Sequence, residues 1–527
     1  MVLRRLACAI ALLGICALLS ANPLENIRTD SWVYEAIDHL KLAGLIQTVP
    51  SPSRPWTVGY ATNLVAEANS SPRAATVGGV AAWWLKRLQG EFNLLPPSAT
   101  CEVRTPPYPR WSPLLRVPMD PGAIEIDFFD RVRADSANQS LSLGAVFHTT
   151  GSDRIVLHNR MEFTGFARKL VDAPDSAWLI RVPGTREHSW MGRALFEIPE
   201  AYMKFRIPWL DLELGRDFLY WGPGYRNSVM LSNTAPSLDQ VQLTGTWSRF
   251  KLSYFTAALS PWKSYHRFVS GQRLEVNFWN RLMLGGAMLT GYSPDSAQTK
   301  TLYGYLNPLI PIYFELANSG HDDNFAAGAD ATLYLPSIKL YAQLLLDNYE
   351  FTWKWDTIDN RIPPNAYGLQ FGLLATPLPG FDFRAEYAKV TEYTYHHRIF
   401  QTALLQYDVP LGHALGPDAD ELFARLTWYP LSWGTVGIAA SLTRRGDRNR
   451  GDYIHKTWIP DYGPRDRRFP TGIVEITLAA GPVFAVNPTS WLRFSAAADW
   501  RTVTNAGGIA GQSQEGPALR AQLEYRY

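Results

Sequence analysis

The stretch from Gly215 to Ala235 reads GRDFLYWGPGYRNSVMLSNTA, and its side chains suggest binding rather than bond cleavage. Arg216 can hold a carboxylate through two parallel N–H bonds. Tyr220, Trp221 and Tyr225 supply amphipathic rings against which the CH groups of a sugar can stack. Gly222 and Gly224 flank Pro223 and permit backbone conformations that a Cβ resists. Ser232 and Asn233 complete the candidate set. The same residues allow a second reading, in which Trp221-Gly222-Pro223-Gly224 is a tight turn folded into the interior and Arg216 and Asp217 pair with neighbouring strands. On sequence alone both readings stand.

A second candidate is the most basic stretch, 444 to 468. It holds Arg444, Arg445, Arg448, Arg450, Lys456, Arg465, Arg467 and Arg468 against Asp447, Asp452, Asp461 and Asp466, with Tyr453, Trp458 and Tyr462 interleaved. Such a loop suits an anionic polymer or the phosphates of surrounding lipid. Over the whole chain, 50 Lys and Arg meet 48 Asp and Glu. A balance this close to neutral argues against nucleic acid as a partner. No HExxH, GxSxG, phosphate-binding glycine loop or CxxC occurs, so no enzyme class, cofactor or metal is indicated. The run His321, Asp322, Asp323, Asn324 lacks the spacing of an established calcium loop. His396 and His397 read as solvated loop residues.

These groups need a scaffold, and the chain divides into four parts. Residues 1–21 carry Arg4 and Arg5 ahead of the apolar run Leu6 to Ala21, which reads as a secretory signal peptide. Within 22–95 three short helices are expected. The first is capped by Thr29 and Asp30 and carries Trp32, Ala36, Ile37, Leu40 and Ala43 up to Gly44; the second covers Val58 to Ala68; the third carries Val80, Trp83, Trp84 and Leu88. The run WVYEAIDHLKLAGLI is similar to the first helix of S-layer-homology modules, which bind cell-wall polymers, so peptidoglycan or another periplasmic partner is conceivable. Residues 96–122 form a linker whose prolines leave few amide donors.

From 123 to 527 the period becomes two. Leu519, Ala521, Leu523, Tyr525 and Tyr527 alternate with Arg520, Gln522, Glu524 and Arg526, and Phe381, Phe383, Ala385 and Tyr387 with Asp382, Arg384 and Glu386. One apolar and one charged face, strands of ~10 residues and an aromatic end are the pattern of an outer-membrane barrel, apolar towards lipid and polar towards the lumen. The 19 Trp, 25 Tyr and 24 Phe also fit a membrane interface. Tight turns are expected at 150–153, at Pro208, at Ser248 and Arg249, at Asn280, at Pro336 and Ser337, at 377–380, at 430–432 and at 481–490. Long connections are expected at 169–192, 219–239, 261–270, 291–323, 348–366, 392–420, 444–470 and 502–517. With an opening and a closing strand the count is 18. Short turns face the periplasm in such barrels, so both barrel ends, and the helical domain, belong on the periplasmic side.

The string GRDxxxWGPGxxxSxxLSNxA resembles the signature of the Wzi-type capsule assembly family of outer-membrane proteins. Asn307-Pro308, Asp323-Asn324, Gly328, Asp330, Tyr341 and Leu344 to Asp347 are similar to that family too. Thr234 departs from it, standing where a second Asn often follows Asn233. The resemblance implies an all-β transmembrane barrel behind a small helical domain. It also implies a lectin-like function, binding or tethering capsular or exopolysaccharide at the cell surface and aiding capsule assembly. A substrate-specific porin is the alternative, and an outer-membrane hydrolase a more distant one.

Overall fold

The computed structural model describes residues 22–92, 124–135, 139–149, 154–167, 193–295, 305–319, 322–347, 365–449, 468–488 and 492–526. Residues 1–21, read as a leader, residues 96–122, read as a linker, the first tight turn, the long connections expected at 169–192 and over most of 348–366, Arg450 with the rest of the basic loop to 467, and Tyr527 lie outside them. Eighteen antiparallel strands close into one barrel. They are β1 (Ile124–Asp135), β2 (Gln139–Thr149), β3 (Ile155–Phe166), β4 (Ala194–Ile207), β5 (Leu210–Asp217) and β6 (Leu238–Trp247). Next come β7 (Phe250–Trp262), β8 (Tyr265–Phe278), β9 (Leu282–Tyr292), β10 (Asn324–Leu335), β11 (Ile338–Asp347) and β12 (Ala366–Ala375). The last six are β13 (Phe381–Val390), β14 (Ala419–Leu431), β15 (Gly434–Arg445), β16 (Glu475–Val486), β17 (Leu492–Thr504) and β18 (Ser513–Arg526). Each strand pairs with its neighbours in sequence. The seam joins β18 to β1, from Arg520 opposite Asp135 to Arg526 opposite Phe129.

Burial runs opposite to that of a water-soluble sandwich. Along β18, Leu519 is 59% exposed while Glu524 is 8% exposed, and the other strands repeat the contrast. The wall therefore presents hydrocarbon outward and charge inward, which places lipid outside it. Trp209, Trp247, Trp279, Trp428 and Trp433 are all exposed near the turn-bearing end. They form an aromatic girdle of the kind that sits at a membrane interface. A helix α4 (Ile312–Ser319) follows a segment fixed to the outside of the wall. Gln272 on β8 donates to the carbonyls of Pro308 and Ile310 and accepts from the Ile312 amide, leaving Leu309, Tyr313 and Phe314 exposed.

Three connections differ from expectation, one of them 502–517, which shortens because β17 runs to Thr504 and β18 starts at Ser513. Instead of a long loop over 261–270, β7 and β8 continue until Trp262 pairs with Tyr265, leaving only Lys263 and Ser264 to turn. The turn expected from Gly481 begins later, because β16 runs on to Val486. Its pairing with β17 lapses between Ala480 and Val483, where Pro482 has no N–H to give.

The N-terminal helices are α1 (Val33–Leu42), α2 (Val58–Ser70) and α3 (Gly79–Glu91). Thr29 and Asp30 do not cap α1: Trp32 stands at that position, and Asp30 is held by Arg28 instead. Gly44 ends α1 as read, with φ of +72° and with Leu45 N–H bonded back to the Leu40 carbonyl. The apolar faces meet in one core in which Trp32 stacks on Trp84. Nine of the ten α1 residues are buried, which leaves this S-layer-like helix almost no surface for a cell-wall polymer.

These helices are set into the turn-bearing mouth of the barrel. Lys41 donates to the Asn280 carbonyl at 2.9 Å, and Trp83 Nε1 to that of Leu431 at 2.7 Å. His39 meets Asp382 at 3.0 Å, and Arg384 meets Glu35 at 3.0 Å. Asp38 accepts from Tyr334 at 2.6 Å and from Lys339 at 2.7 Å. Burial alone would raise the Asp38 carboxyl, but Lys339 beside it holds it below the ordinary range. A lowered carboxyl stabilises docking while ionised, so this contribution is present above about pH 4 and is lost as pH falls through the lowered value. Asp38→Asn leaves Lys339 buried without its counter-charge, which typically costs ~3–5 kcal/mol. Hydrogen exchange of the Val33–Leu42 amides should therefore quicken in the variant at neutral pH, and in the wild type on acidification, while the strand amides stay protected. Equal α1 protection in variant and wild type would show that this pair does not fix the helix.

Candidate functional site

The motif segment does not line the outer surface. It leaves β5 at Asp217, turns into the lumen and is fixed there from three sides. Trp221 is 1% exposed. Its ring meets Phe255 edge-on at 5.2 Å, and its amide bonds to the Leu231 carbonyl at 3.0 Å. Its carbonyl accepts from Gln343 Nε2 at 2.9 Å and from the Ser228 hydroxyl. Tyr220 is buried, donates to the Gly224 carbonyl at 2.7 Å and carries the Arg54 guanidinium 4.7 Å from its ring centre. The Tyr225 ring lies under Arg384 at 3.8 Å, its hydroxyl accepts from Arg425 at 3.1 Å, and its amide donates to Glu386 at 2.6 Å. All three rings are thus engaged by the protein itself.

The other motif residues divide between wall and lumen. Arg216 faces outward near the loop-bearing end of β5 and grips Asp239 on β6 with two bonds of 2.7 Å. This is the bidentate pair its chemistry suggested, made with a neighbouring strand. Asp217 points inward and accepts from Asn26 of the N-terminal segment at 2.7 Å. Ser232 is buried and donates to the Gly412 carbonyl at 2.8 Å, while Asn233 is half-buried. Pro223 is buried between the two glycines. Gly222 has φ of +131°, whereas Gly224 does not adopt the left-handed region. Gly224 is needed for space: a Cβ there would run into the Asn227 carbonyl and the Gln370 amide.

One strand face organises the lumen. On β11 the inward residues are Lys339, Tyr341, Gln343, Leu345 and Asp347. Lys339 holds α1, Tyr341 donates to Glu386 at 2.7 Å, Gln343 holds the Trp221 segment, and Asp347 accepts from the Tyr395 amide. Tyr395 belongs to a second inward loop, 391–418, and its hydroxyl donates to the Val229 carbonyl at 2.8 Å. The two loops share one apolar core, with Leu219, Trp221, Met230 and Leu231 against Phe400, Leu404, Leu405 and Leu411. Sequence reasoning missed this second loop as a packing partner. Its signal was the apolar content of Phe400 to Leu415, unusual for an exposed loop.

His396 and His397, expected to be solvated, are 3% and 9% exposed. His397 Nδ1 lies 2.9 Å from the Thr402 hydroxyl, and burial lowers its pKa despite nearby Asp322. Burial also pushes His413 down to about 3, with Arg226 adding to the effect. Asp322 is taken by Arg398, and Asp323 accepts from Tyr305 at 2.6 Å. Among the described residues no group of three or more His, Cys, Asp and Glu is disposed to hold a metal. In the basic stretch, Arg444 is fixed to Asp420 through two bonds and Arg445 lies 4.0 Å from Glu475. Asp447–Asn449 form a single 3-10 turn. The Arg448 side chain and Arg450 lie outside what is described.

The chain superposes on an Escherichia coli barrel, described as Wzi, an outer-membrane protein involved in group 1 capsule assembly and a carbohydrate-binding β-barrel. That match has a TM-score of 0.64 and 13% identity, and covers 96% of this chain and 99% of that one. Pseudomonas aeruginosa OprD gives a TM-score of 0.43 at 10% identity over 77% of this chain and 94% of that chain. Acinetobacter baumannii OccAB2 gives 0.44 at 10% identity over 77% and 97%. No curated protein sequence matches this chain. The family model for the capsule assembly protein Wzi matches residues 129–290 and 311–497, well over half of the chain, and the protein belongs to that family.

Proposed function

We propose that this protein is a lectin-like outer-membrane tether that binds acidic capsular or exopolysaccharide at the loop-bearing end of the barrel and thereby aids capsule assembly. The observation that carries the reading is the inward fold of the Trp221 segment, whose rings are buried and whose core is shared with loop 391–418. A lumen occupied in this way favours contact with polymer at the loop face over its passage through the wall. Membership of a capsule assembly family supports the same reading, as does the carbohydrate binding ascribed to the Escherichia coli neighbour. In this reading Tyr220, Trp221, Gly222, Pro223, Gly224, Tyr225, Ser232 and Asn233 shape the lumen, and Arg216 with Asp217 anchors that segment to wall and plug. Contact with polymer falls to the loops, with the basic stretch as the leading candidate.

Outer-membrane lipids would surround the apolar wall, and the turn-bearing end with its helices would face the periplasm. A periplasmic or cell-wall partner would then meet the exposed residues of α2 and α3, such as Asn63 and Lys86, rather than α1. An epitope inserted at Arg448 should be reached by antibody on intact cells, and one at Asn69 should not. Surface labelling at Asn69 would reverse the orientation.

Polymer retention on cells tests the loop directly. Arg444 and Arg445 already have carboxylate neighbours, so Arg444→Gln alone should change retention little. Arg448→Gln with Arg450→Gln should lower it several-fold. Wild-type retention should also fall as salt rises, because exposed charges are screened over ~8 Å at physiological ionic strength. Retention indifferent both to salt and to the double substitution would remove this loop from the site. Gly224→Val should reduce heat-modifiable folded barrel and polymer retention together, since the added methyl groups have no room beside Asn227. A normal yield of folded barrel with retention lost would instead make the motif a direct contact.

A further inference from the structure

A cavity of about 680 Å³ remains on one side of the lumen, between the N-terminal helices and the wall formed by β14 to β18, β1, β3 and β4. That volume is in the range of ligand sites that enclose a small molecule. Its lining carries more positive than negative charge, seven arginines against five carboxylates. Arg87 on α3, Arg133 on β1, Arg425 on β14 and Arg493 on β17 all face it, and none makes an ion pair with a carboxylate among the described residues. Among the described residues the side-chain hydrogen bond of Arg133 goes to the Gln522 carbonyl at 3.2 Å and that of Arg425 to the Tyr225 hydroxyl, while Glu162 and Asp30 act on Arg133, and Glu35 and Asp382 on Arg425, from farther off. Arg87 lies over the Trp32 ring at 4.2 Å. Burial, with Arg493 adding its own charge, pushes the Arg87 guanidinium down to about 10. Glu197 also lines the cavity; it makes no ion pair within 4 Å among the described residues, and Arg133 acts on it from farther off.

A protein interior gathers like charges at a cost unless an anion joins them. The remaining lining indicates what kind of anion. Trp32 and Trp83 are half-exposed along the same cavity, and Trp84, 5% exposed, has a buried indole N–H with no acceptor among the described residues. Guanidinium groups that match a carboxylate, beside amphipathic rings and a spare N–H donor, recognise a ring that is apolar on its face, hydroxylated at its rim and negatively charged. We propose that this cavity is a second, intraluminal binding site for an acidic sugar unit, the Arg87 and Arg493 guanidinium groups holding its carboxylate and the half-exposed Trp83 indole its ring. This deepens the tethering function and rests on the reading that the protein handles acidic polysaccharide, but it places a site away from the outer loops.

Calorimetric titration of the full-length protein in detergent tests this, with a short oligogalacturonate as the probe. A neutral galactose oligomer and sodium phosphate form the comparison arms. Saturable binding of oligogalacturonate is expected, weakened by salt, with the neutral oligomer and phosphate each at least about tenfold weaker, a gap of ~1.4 kcal/mol. The Arg87→Gln/Arg493→Gln double variant should lose at least as much affinity and Arg87→Lys/Arg493→Lys should recover part of it. Heat-modifiable migration establishes that each variant is folded, and Arg133→Gln gives an independent test should the double variant not fold. The inference is overturned if oligogalacturonate does not bind, if phosphate binds as tightly, or if the folded Gln variants bind like wild type. Polymer retention on cells, measured in parallel, separates the two ideas: normal retention without oligogalacturonate binding removes the cavity and leaves the tether standing.

Discussion

Arg273 is completely buried on the inner face of the barrel, and a guanidinium in that position must be compensated. Its Nη atoms reach Asp330 at 2.6 and 3.1 Å, while Nε donates to Glu275 at 2.9 Å and to the Ser53 hydroxyl at 2.7 Å. Glu275 in turn accepts from Ser51 at 2.6 Å and from Ser53. Part of the charge balance of the wall is therefore supplied by the N-terminal segment. The same Ser53 and Arg54 then pair, strand to strand, with Trp221 and Tyr220. Wall, N-terminal segment and motif loop meet at this junction, and each covers polar groups that the other two would leave unsatisfied in a low-dielectric interior.

That junction explains why a motif rich in aromatic and glycine residues is found far from any surface. Trp221 needs Gln343 and Ser228 for its carbonyl and Phe255 for its ring. Gly222 takes a conformation open mainly to glycine, and Gly224 lies too close to Asn227 for any side chain. These are the demands of a joint. They account for the length and specificity of the motif without requiring that it touch polymer.

The strands were legible because period-two alternation has a single explanation when the charged face is the buried one. Leu519, Leu523 and Tyr525 against Glu524 convey this without help from tertiary structure. Turn positions were less legible: Trp262 and Tyr265 read as loop because aromatic residues at a strand end also suit an interface, and Pro482 reads as a stop although β16 tolerates it where pairing lapses. The site was half legible. Arg216 does what its chemistry suggested, with Asp239 as its carboxylate, but whether Trp221 points in or out depends on Ser53, Gln343 and Tyr395. Those partners lie 122 to 174 residues away, and no local pattern encodes them.

The central claim is that the lumen is occupied by the protein's own joint, so that the barrel holds polymer and does not conduct. Single-channel recording of the full-length protein in planar bilayers tests it most directly. The account predicts little steady conductance in the wild type, and larger openings once Ser53→Pro and Gly222→Val together break the pairing between the N-terminal segment and the Trp221 loop. A large, steady conductance from the wild type, unchanged by those substitutions, would contradict it.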